Sequence, residues 1–296
     1  MGKLTTNLKK KLICAEGEPK ALFKEEPSAI LEGIRMAAEK DLDIELQTFE
    51  AMKENAPGLA AVGIDVIRDK FEDILSAEHG ARGLRMAVAA EVMPYVLGEA
   101  WPPKSRYEID QFNGLLENLD VTRPDIEYRF PMLFMCFDEK RAIQAIDHLG
   151  FDRETAEMYK IALKKVQDLY FVVKPHDFKK FLYLNGKESY EYWEVLAKQQ
   201  RKLYDHPENR IMSRYYMLQE FKQLKMAIYP EDLAVDADDL IAAGVPTDKV
   251  GYILEKLLYR VHYFPRRNTR EYLLSEAKRC SRNPLGKFFR DVHFFR

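Results

Sequence analysis

The sequence predicts an all-α protein, an elongated multi-helix array, on three observations. Apolar residues recur almost everywhere at spacings of three and four, the period of one helix face. No stretch combines alternating polarity with the turn chemistry of a hairpin. Short breakers such as Pro102-Pro103, Pro124 and Asn185-Gly186 separate segments of helical length.

The elements follow in order. Pro27 and Ser28 open a helix whose Ile30, Leu31, Ile34, Ala37 and Ala38 share one face, with Glu32, Arg35 and Glu39 largely elsewhere; the stretch from Asp41 to Asp43 stops it. A second helix runs from Leu46 to Asn55 and breaks at Pro57-Gly58. A third, from Ile64 to Leu75, repeats the stripe through Ile67, Phe71, Ile74 and Leu75. Further helices are expected near 79–92, 104–119, 126–136, 138–149, 152–170, 175–185, 188–205 and 207–227. In the last third, Asp236 to Ala242 is a short helix ended by Gly244. The next starts at Pro246 or Thr247 and buries Val250, Ile253, Leu254, Leu257, Leu258 and Val261. Pro265 stops it, and Asn268 caps its successor with Glu271 at the capping-box distance. A basic tail completes this helical hairpin.

A chain of 296 residues can bury a large interior as one globule or as several helical subdomains. Its three cysteines, Cys14, Cys136 and Cys280, are odd in number and far apart, which suggests neither a disulfide framework nor a zinc site. No secretory signal core and no membrane-spanning run is seen, so a cytoplasmic location is expected and no membrane partner. The net charge of -2 conceals an asymmetry. Residues 1–24 carry six lysines against two glutamates, and residues 256–296 carry eleven Lys or Arg against three acids, so the middle is strongly acidic. Basic ends of this kind mark a polyanion-binding surface or a solvated face with a basic terminus.

Short phrases in a fixed order carry a resemblance. Asn7-Leu8-Lys9 is followed by Glu18-Pro19 with Phe23, then by Glu25-Glu26-Pro27-Ser28-Ala29-Ile30-Leu31-Glu32-Gly33-Ile34-Arg35-Met36-Ala37-Ala38, then by Asp65-Val66-Ile67-Arg68-Asp69-Lys70-Phe71-Glu72-Asp73-Ile74-Leu75. Leu233-Ala234-Val235, Asp239-Leu240-Ile241, Gly244-Val245-Pro246, Val250-Gly251-Tyr252-Ile253-Leu254 and Asn268-Thr269-Arg270-Glu271 come far downstream. This order resembles the tRNA nucleotidyltransferase family of CCA-adding enzymes and bacterial poly(A) polymerases, with its neck phrases DLKxxxI, EDPLRxLRxIRFAA and RIxxExxxIL and its closing module. The ends match well and residues 100–230 loosely. The resemblance implies a neck-like helical domain over 1–98, a body-like one over 99–230, and a tail-like hairpin with a basic C-terminus over 231–296.

The departures bear on chemistry. In the resembled enzymes the Asp and Arg of EDxxR read the base of the incoming CTP or ATP through placed donors and acceptors. Here the degenerate nucleotide-binding motif is Glu25, Glu26 and Ala29: glutamate shifts the carboxylate by one methylene, and alanine removes the guanidinium fork. The Arg and Glu of RIxxE correspond to Val66 and Lys70, so base selection as the family performs it is expected to be lost. The catalytic head would need a Gly-Ser turn and a strand-borne D-x-D holding two metal ions. No Gly-Ser dipeptide occurs, and Asp41-Leu42-Asp43 and Asp236-Ala237-Asp238 fall at helix ends, where capping is the ordinary role. Neither catalysis by this chain alone nor a metal or other cofactor is expected.

The residues admit two further readings. His148, His176-Asp177 and Asp205 can be written as a metal phosphohydrolase series, but Pro175 precedes the histidine and the surrounding sequence lacks an apolar setting, so a helix-start role for Asp177 is simpler. The rings of Tyr170, Phe171, Phe178, Phe181, Tyr183, Tyr190, Tyr192 and Trp193 could stack on RNA bases, yet helical spacing makes core the expectation. The terminal cations Arg260, Arg266, Arg267, Arg270, Lys278, Arg279, Arg282, Lys287 and Arg290 interleave with Tyr263, Phe264, Phe288, Phe289, Phe294 and Phe295 and form the candidate RNA-binding set. In the resembled enzymes the tail lies against the tRNA elbow.

Three functions stand at this point. One is a non-catalytic RNA-binding protein whose partner is tRNA. Another is the RNA-holding part of a CCA-adding nucleotidyltransferase whose head is a separate chain or lies upstream of this sequence. The third is a helical protein-interaction scaffold.

Overall fold

The computed structural model describes residues 3–7, 9–204 and 209–282. Strands are β1 (Leu4–Asn7), β2 (Leu12–Ala15) and β3 (Asp43–Ile44). The helices are α1 (Pro19–Glu25), α2 (Ala29–Lys40), α3 (Leu46–Asn55), α4 (Ile64–Ser76), α5 (Gly80–Ala89), α6 (Met93–Leu97), α7 (Arg106–Asn118) and α8 (Ile126–Phe134). They continue with α9 (Glu139–His148), α10 (Arg153–Phe171), α11 (Pro175–Asn185), α12 (Lys187–Tyr204), α13 (Asn209–Gln223), α14 (Ala237–Ala242), α15 (Val250–Tyr263) and α16 (Arg270–Arg282). The all-α expectation is met. One compact unit comprises residues 1–169 and 193–207, the other 170–192 and 208–296.

The hairpin is the departure from the sequence reading. β1 and β2 pair antiparallel, Asn7 opposite Leu12, and β2 pairs parallel with β3. Its turn has no Asn-Gly. Instead the Asn7 side chain accepts from the Lys10 N–H at 3.2 Å, and Lys11 takes a left-handed φ of 51°. Four-residue strands are too short to show alternation. The sequence reading also has no helix at α1 or α6, short helices that carry Pro19 and Pro94 in their first turns.

In the first unit α2, α4 and α5 pack closely at Gly83, where a Cβ would lie 2.7 Å from Ile74 Cγ2 and 2.8 Å from Ala38 Cβ. Helix α8 is buried from Tyr128 to Phe134, as a helix apolar all round must be. Its Phe130 stands 5.1 Å from the Phe151 ring in a T-shape and 5.6 Å from Phe134, while Phe151 lies 5.2 Å from Tyr159.

One charged side chain is buried in this helix. Arg129, 1 % exposed, donates through Nε to Arg123 O at 3.0 Å and through its terminal nitrogens to the carbonyls of Leu75, Ala77 and Thr122. Leu75 and Ala77 lie at the C-terminal end of α4, where unpaired carbonyls and the negative end of the helix dipole collect. Nearby, Glu108 closes the capping box of α7 and lies 2.5 Å from Arg141. Burial alone would raise its carboxyl, but donation from the Lys104, Ser105 and Asp138 N–H groups and from Arg141 brings it down to about 2.

The second unit has its own core. Leu240, Ile253, Leu257, Leu258, Val261, Leu273 and Ala277 close α14, α15 and α16 on one another, with the stripe of α15 as the sequence predicts. Asp236 caps α14 in a reciprocal box with Asp239. Asn268 does not cap α16: its amide donates to Asp232 O at 2.9 Å and its Oδ1 accepts from Ala234 N at 2.8 Å, because the 232–234 turn presents those groups to it. Phe178, Phe181, Tyr190 and, in the first unit, Trp193 are buried as core, whereas Phe171 is exposed.

His262 is buried on α15, with Nε2 3.1 Å from Ile228 O. Burial lowers its pKa to about 4; the carbonyl bond and Asp232 oppose that, while Lys179 and His176 add to it.

Two outcomes are expected from these interiors. Arg129→Met should lower urea stability by about 3 kcal/mol, since it leaves several buried carbonyls without a donor. A loss under about 0.5 kcal/mol would show that the cage is dispensable. For His262, the unfolded imidazole binds protons at a pH where the folded one does not, so its contribution is complete above about pH 6.5 and lost as pH falls toward 4. Thermal melts across that window should fall more steeply for the wild type than for His262→Gln, whose amide can donate to the same carbonyl without titrating.

Candidate nucleic-acid interface

The degenerate neck motif lies at the junction of α1 and α2. Glu25 and Glu26 are exposed, and Ala29 is buried as the first residue of α2. Lys70 on α4 reaches Glu32 on α2 at 3.3 Å, and Glu32 also binds Arg35 at 2.5 Å. Hydrogen bonding from Arg35 leads the causes that lower the Glu32 carboxyl pKa, against burial. Lys70, which stands where the resembled motif has a glutamate, is thereby tied to the scaffold.

The stretch from β3 to the end of α6 and its following turn, residues 41–102, contains twelve Asp or Glu and five Lys or Arg. All five cations are engaged. Lys53 meets Glu91 at 3.0 Å, Arg68 meets Asp69 at 2.9 Å and Gly150 O at 2.8 Å, and Lys70 meets Glu32. Arg82 bridges Asp41 at 3.4 Å and Asp43, and Arg85 donates to Leu116 O at 2.5 Å. Exposed pairs such as Lys53–Glu91 are individually weak, but a phosphate approaching Lys53, Arg68, Lys70 or Arg82 competes with a carboxylate already paired with it.

The terminal cations divide into groups. Arg260 is 8 % exposed, 2.6 Å from Glu276 and 3.0 Å from the Tyr272 hydroxyl; its guanidinium holds α15 to α16 and is not offered to solvent. Arg270 is paired with Asp239, and Arg279 with Glu276. Arg267 is exposed but lies 4.5 Å over the Phe264 ring and donates to the Tyr272 hydroxyl at 3.1 Å. Arg266, Lys278 and Arg282 are exposed and make no ion pair among the described residues. Tyr263 and Phe264, 39 % and 46 % exposed, stand at the C-terminal end of α15, with the His176 ring stacked 4.1 Å from Tyr263. Lys287, Arg290 and the four C-terminal phenylalanines lie outside the described residues.

The structure also places cations that the sequence reading left unassigned. Lys9, Lys10 and Lys11 form the exposed turn between β1 and β2, with Lys3 at the base of the hairpin, and none makes an ion pair among the described residues. The lysine excess of residues 1–24 was visible; the hairpin that gathers it was not.

Metal chemistry finds little support in the side chains. His148 Nε2 is 3.1 Å from Tyr95 O, and His176 is 3.3 Å from Asp177 within the first turn of α11. Asp205 lies outside the described residues, among which no group of three or more His, Cys, Asp or Glu is placed to hold a metal ion. No helix among them is long and apolar enough to cross a membrane.

Comparison with known proteins agrees with the neck phrases. Residues 41–102 match the sequence family described as the probable RNA and SrmB-binding site of polymerase A. The CCA-adding enzyme of Streptococcus pyogenes serotype M5 is 34 % identical over 92 residues, which is 31 % of this chain and 23 % of that enzyme, and the serotype M3 enzyme is 33 % identical over the same length. The aligned part thus spans about a quarter of the curated relatives. Among solved structures, the Bacillus stearothermophilus CCA-adding enzyme in complex with CTP superposes with a TM-score of 0.64 at 17 % identity, covering 93 % of this chain and 67 % of that one. The Thermotoga maritima CCA-adding enzyme complexed with tRNA gives 0.60 at 17 %, covering 92 % and 65 %. These likenesses are of fold. Together with the sequence match, they make the chain a relative of the CCA-adding enzyme and poly(A) polymerase family.

Proposed function

We propose that this chain binds structured RNA of the tRNA type through phosphate charge and shape, without selecting or transferring nucleotides itself. The observation that carries the reading is the exposed set Arg266, Lys278 and Arg282, free of ion pairs among the described residues, on a chain similar to CCA-adding enzymes. Such cations can release the counterions of an RNA backbone, and the exposed rings of Tyr263 and Phe264 can stack on an unpaired base. Residues 41–102 resemble an RNA-binding segment, but their five cations are engaged and carboxylates outnumber them. Support for a non-catalytic role comes from the neck: Ala29 offers no guanidinium to a base, and Lys70 is held by Glu32. An RNA partner of this kind carries a cytoplasmic location with it.

A second reading, in which the chain holds RNA for a nucleotidyltransferase head, is favoured by one observation. The fold matches 93 % of this chain but 67 % of the Bacillus enzyme, so a third of that enzyme has no counterpart in these residues.

Fluorescence anisotropy with a labelled tRNA transcript at several salt concentrations tests the proposal. Saturable binding is expected, with the slope of log affinity against log salt reduced by about 2 in Arg266→Gln/Lys278→Gln/Arg282→Gln, at roughly 0.7–0.9 per lost phosphate contact. Absence of saturable binding at low salt would overturn RNA binding and leave the interaction scaffold.

A further inference from the structure

From the hairpin that docks beside residues 41–102, we infer a second RNA-phosphate contact: the turn carrying Lys9, Lys10 and Lys11, with Lys3 at its base. This inference rests on the RNA-binding reading above and adds a site on the first unit to the one on the second.

The hairpin is held firmly. Glu16 N donates to Lys3 O at 2.7 Å across its open end, and Ala15 N donates to the Thr48 hydroxyl of α3 at 3.1 Å. Asp43 N donates to Lys11 O at 3.0 Å and Glu45 N to Ile13 O at 2.9 Å, which fixes the turn against the start of residues 41–102. Ile13 is fully buried against Ala37 and Leu42, with Leu4 and Ile44 alongside. The lysine backbones are therefore presented from a rigid base.

The turn itself is poorly chosen for folding. Three consecutive lysines repel one another, and Lys11 occupies a left-handed conformation that favours glycine or asparagine. A turn selected for stability would carry Asn-Gly or a similar pair. A non-glycine residue kept in such a conformation is a feature in search of a function; here the side chains retained are cations without carboxylate partners among the described residues. The acids brought next to the turn are already engaged: Asp41 and Asp43 face Arg82, and Glu45 accepts from the Thr48 hydroxyl at 3.0 Å. Glu16 and Glu18 are exposed further along the chain.

A rigid, uncompensated triple-lysine turn suits the repeating phosphates of a nucleic-acid backbone, read by charge and not by base. It restores a phosphate-contacting edge to a unit whose family-matched segment has its own cations engaged.

Two full-length variants test this with the tRNA transcript. Lys9→Gln/Lys10→Gln/Lys11→Asn, in which Asn tolerates the left-handed position and the lysine repulsion is removed, should melt no lower than the wild type while the salt slope falls by about 2. Lys10→Asn/Lys11→Gly should melt higher than wild type and yet bind the transcript several-fold more weakly at low salt, trading function for a better turn. If both variants bind with wild-type affinity and slope while the Arg266, Lys278, Arg282 variant is weakened, the hairpin site is overturned and the RNA reading stands. If the wild type binds no RNA, both fall.

Discussion

A single buried guanidinium organises the first unit. Arg129 carries a charge into the buried part of α8 and satisfies it with main-chain carbonyls, four backbone groups from two separate segments that converge on its guanidinium. Gly80 belongs to the same constraint, since a Cβ there would lie 2.6 Å from both the Arg129 Nη1 and Leu75 O. The end of α4, the start of α5 and the approach to α8 are thereby set together. From α5 the arrangement passes to α2 through Gly83, and from α2 to the small sheet through Ala37 and Met36. Positioning of the lysine turn traces back, by packing, to a residue far from it in sequence.

Where cations are placed decides what each can do. Arg129 and Arg260 are interior and structural, the first caged by carbonyls and the second paired with buried Glu276. Removing one partner of such a pair is costly because it strands the other charge. Arg82, Lys70 and Arg270 are partly or wholly at the surface but face carboxylates. Exposed cations without an ion pair among the described residues occur along much of the chain, Lys24, Lys40, Lys140 and Lys198 among them, and the β1–β2 turn is where three stand consecutively. An overall charge of -2 is compatible with RNA binding where such cations are grouped locally.

Much of the helical order was legible because burial imposes a period of 3.6 on any helix with a dry face. The stripes of α2, α4 and α15 are examples, and the αL stop at Asp41 was visible as a polar break. The hairpin was not legible, because its turn uses Asn7 and a strained lysine in place of glycine. The neck substitutions could be read by aligning a phrase, yet the Glu32–Lys70 pair needed coordinates. Among the tail cations, sequence supplied the residue types but could not separate buried Arg260 from exposed Arg266. Asn268 illustrates the same limit: its capping-box spacing was genuine, but a neighbouring turn offered its amide better partners.

We propose that phosphate contact falls on the lysine turn and the α15–α16 cations and not on the surface of residues 41–102. Chemical footprinting of lysine and arginine side chains by mass spectrometry, with and without a bound tRNA transcript, tests it most directly. Protection should appear at Lys9, Lys10, Lys11, Arg266, Lys278 and Arg282, with Lys53, Arg68, Lys70, Arg82 and Arg85 reacting as in the free protein. Protection of the second set with none at the first would contradict the account.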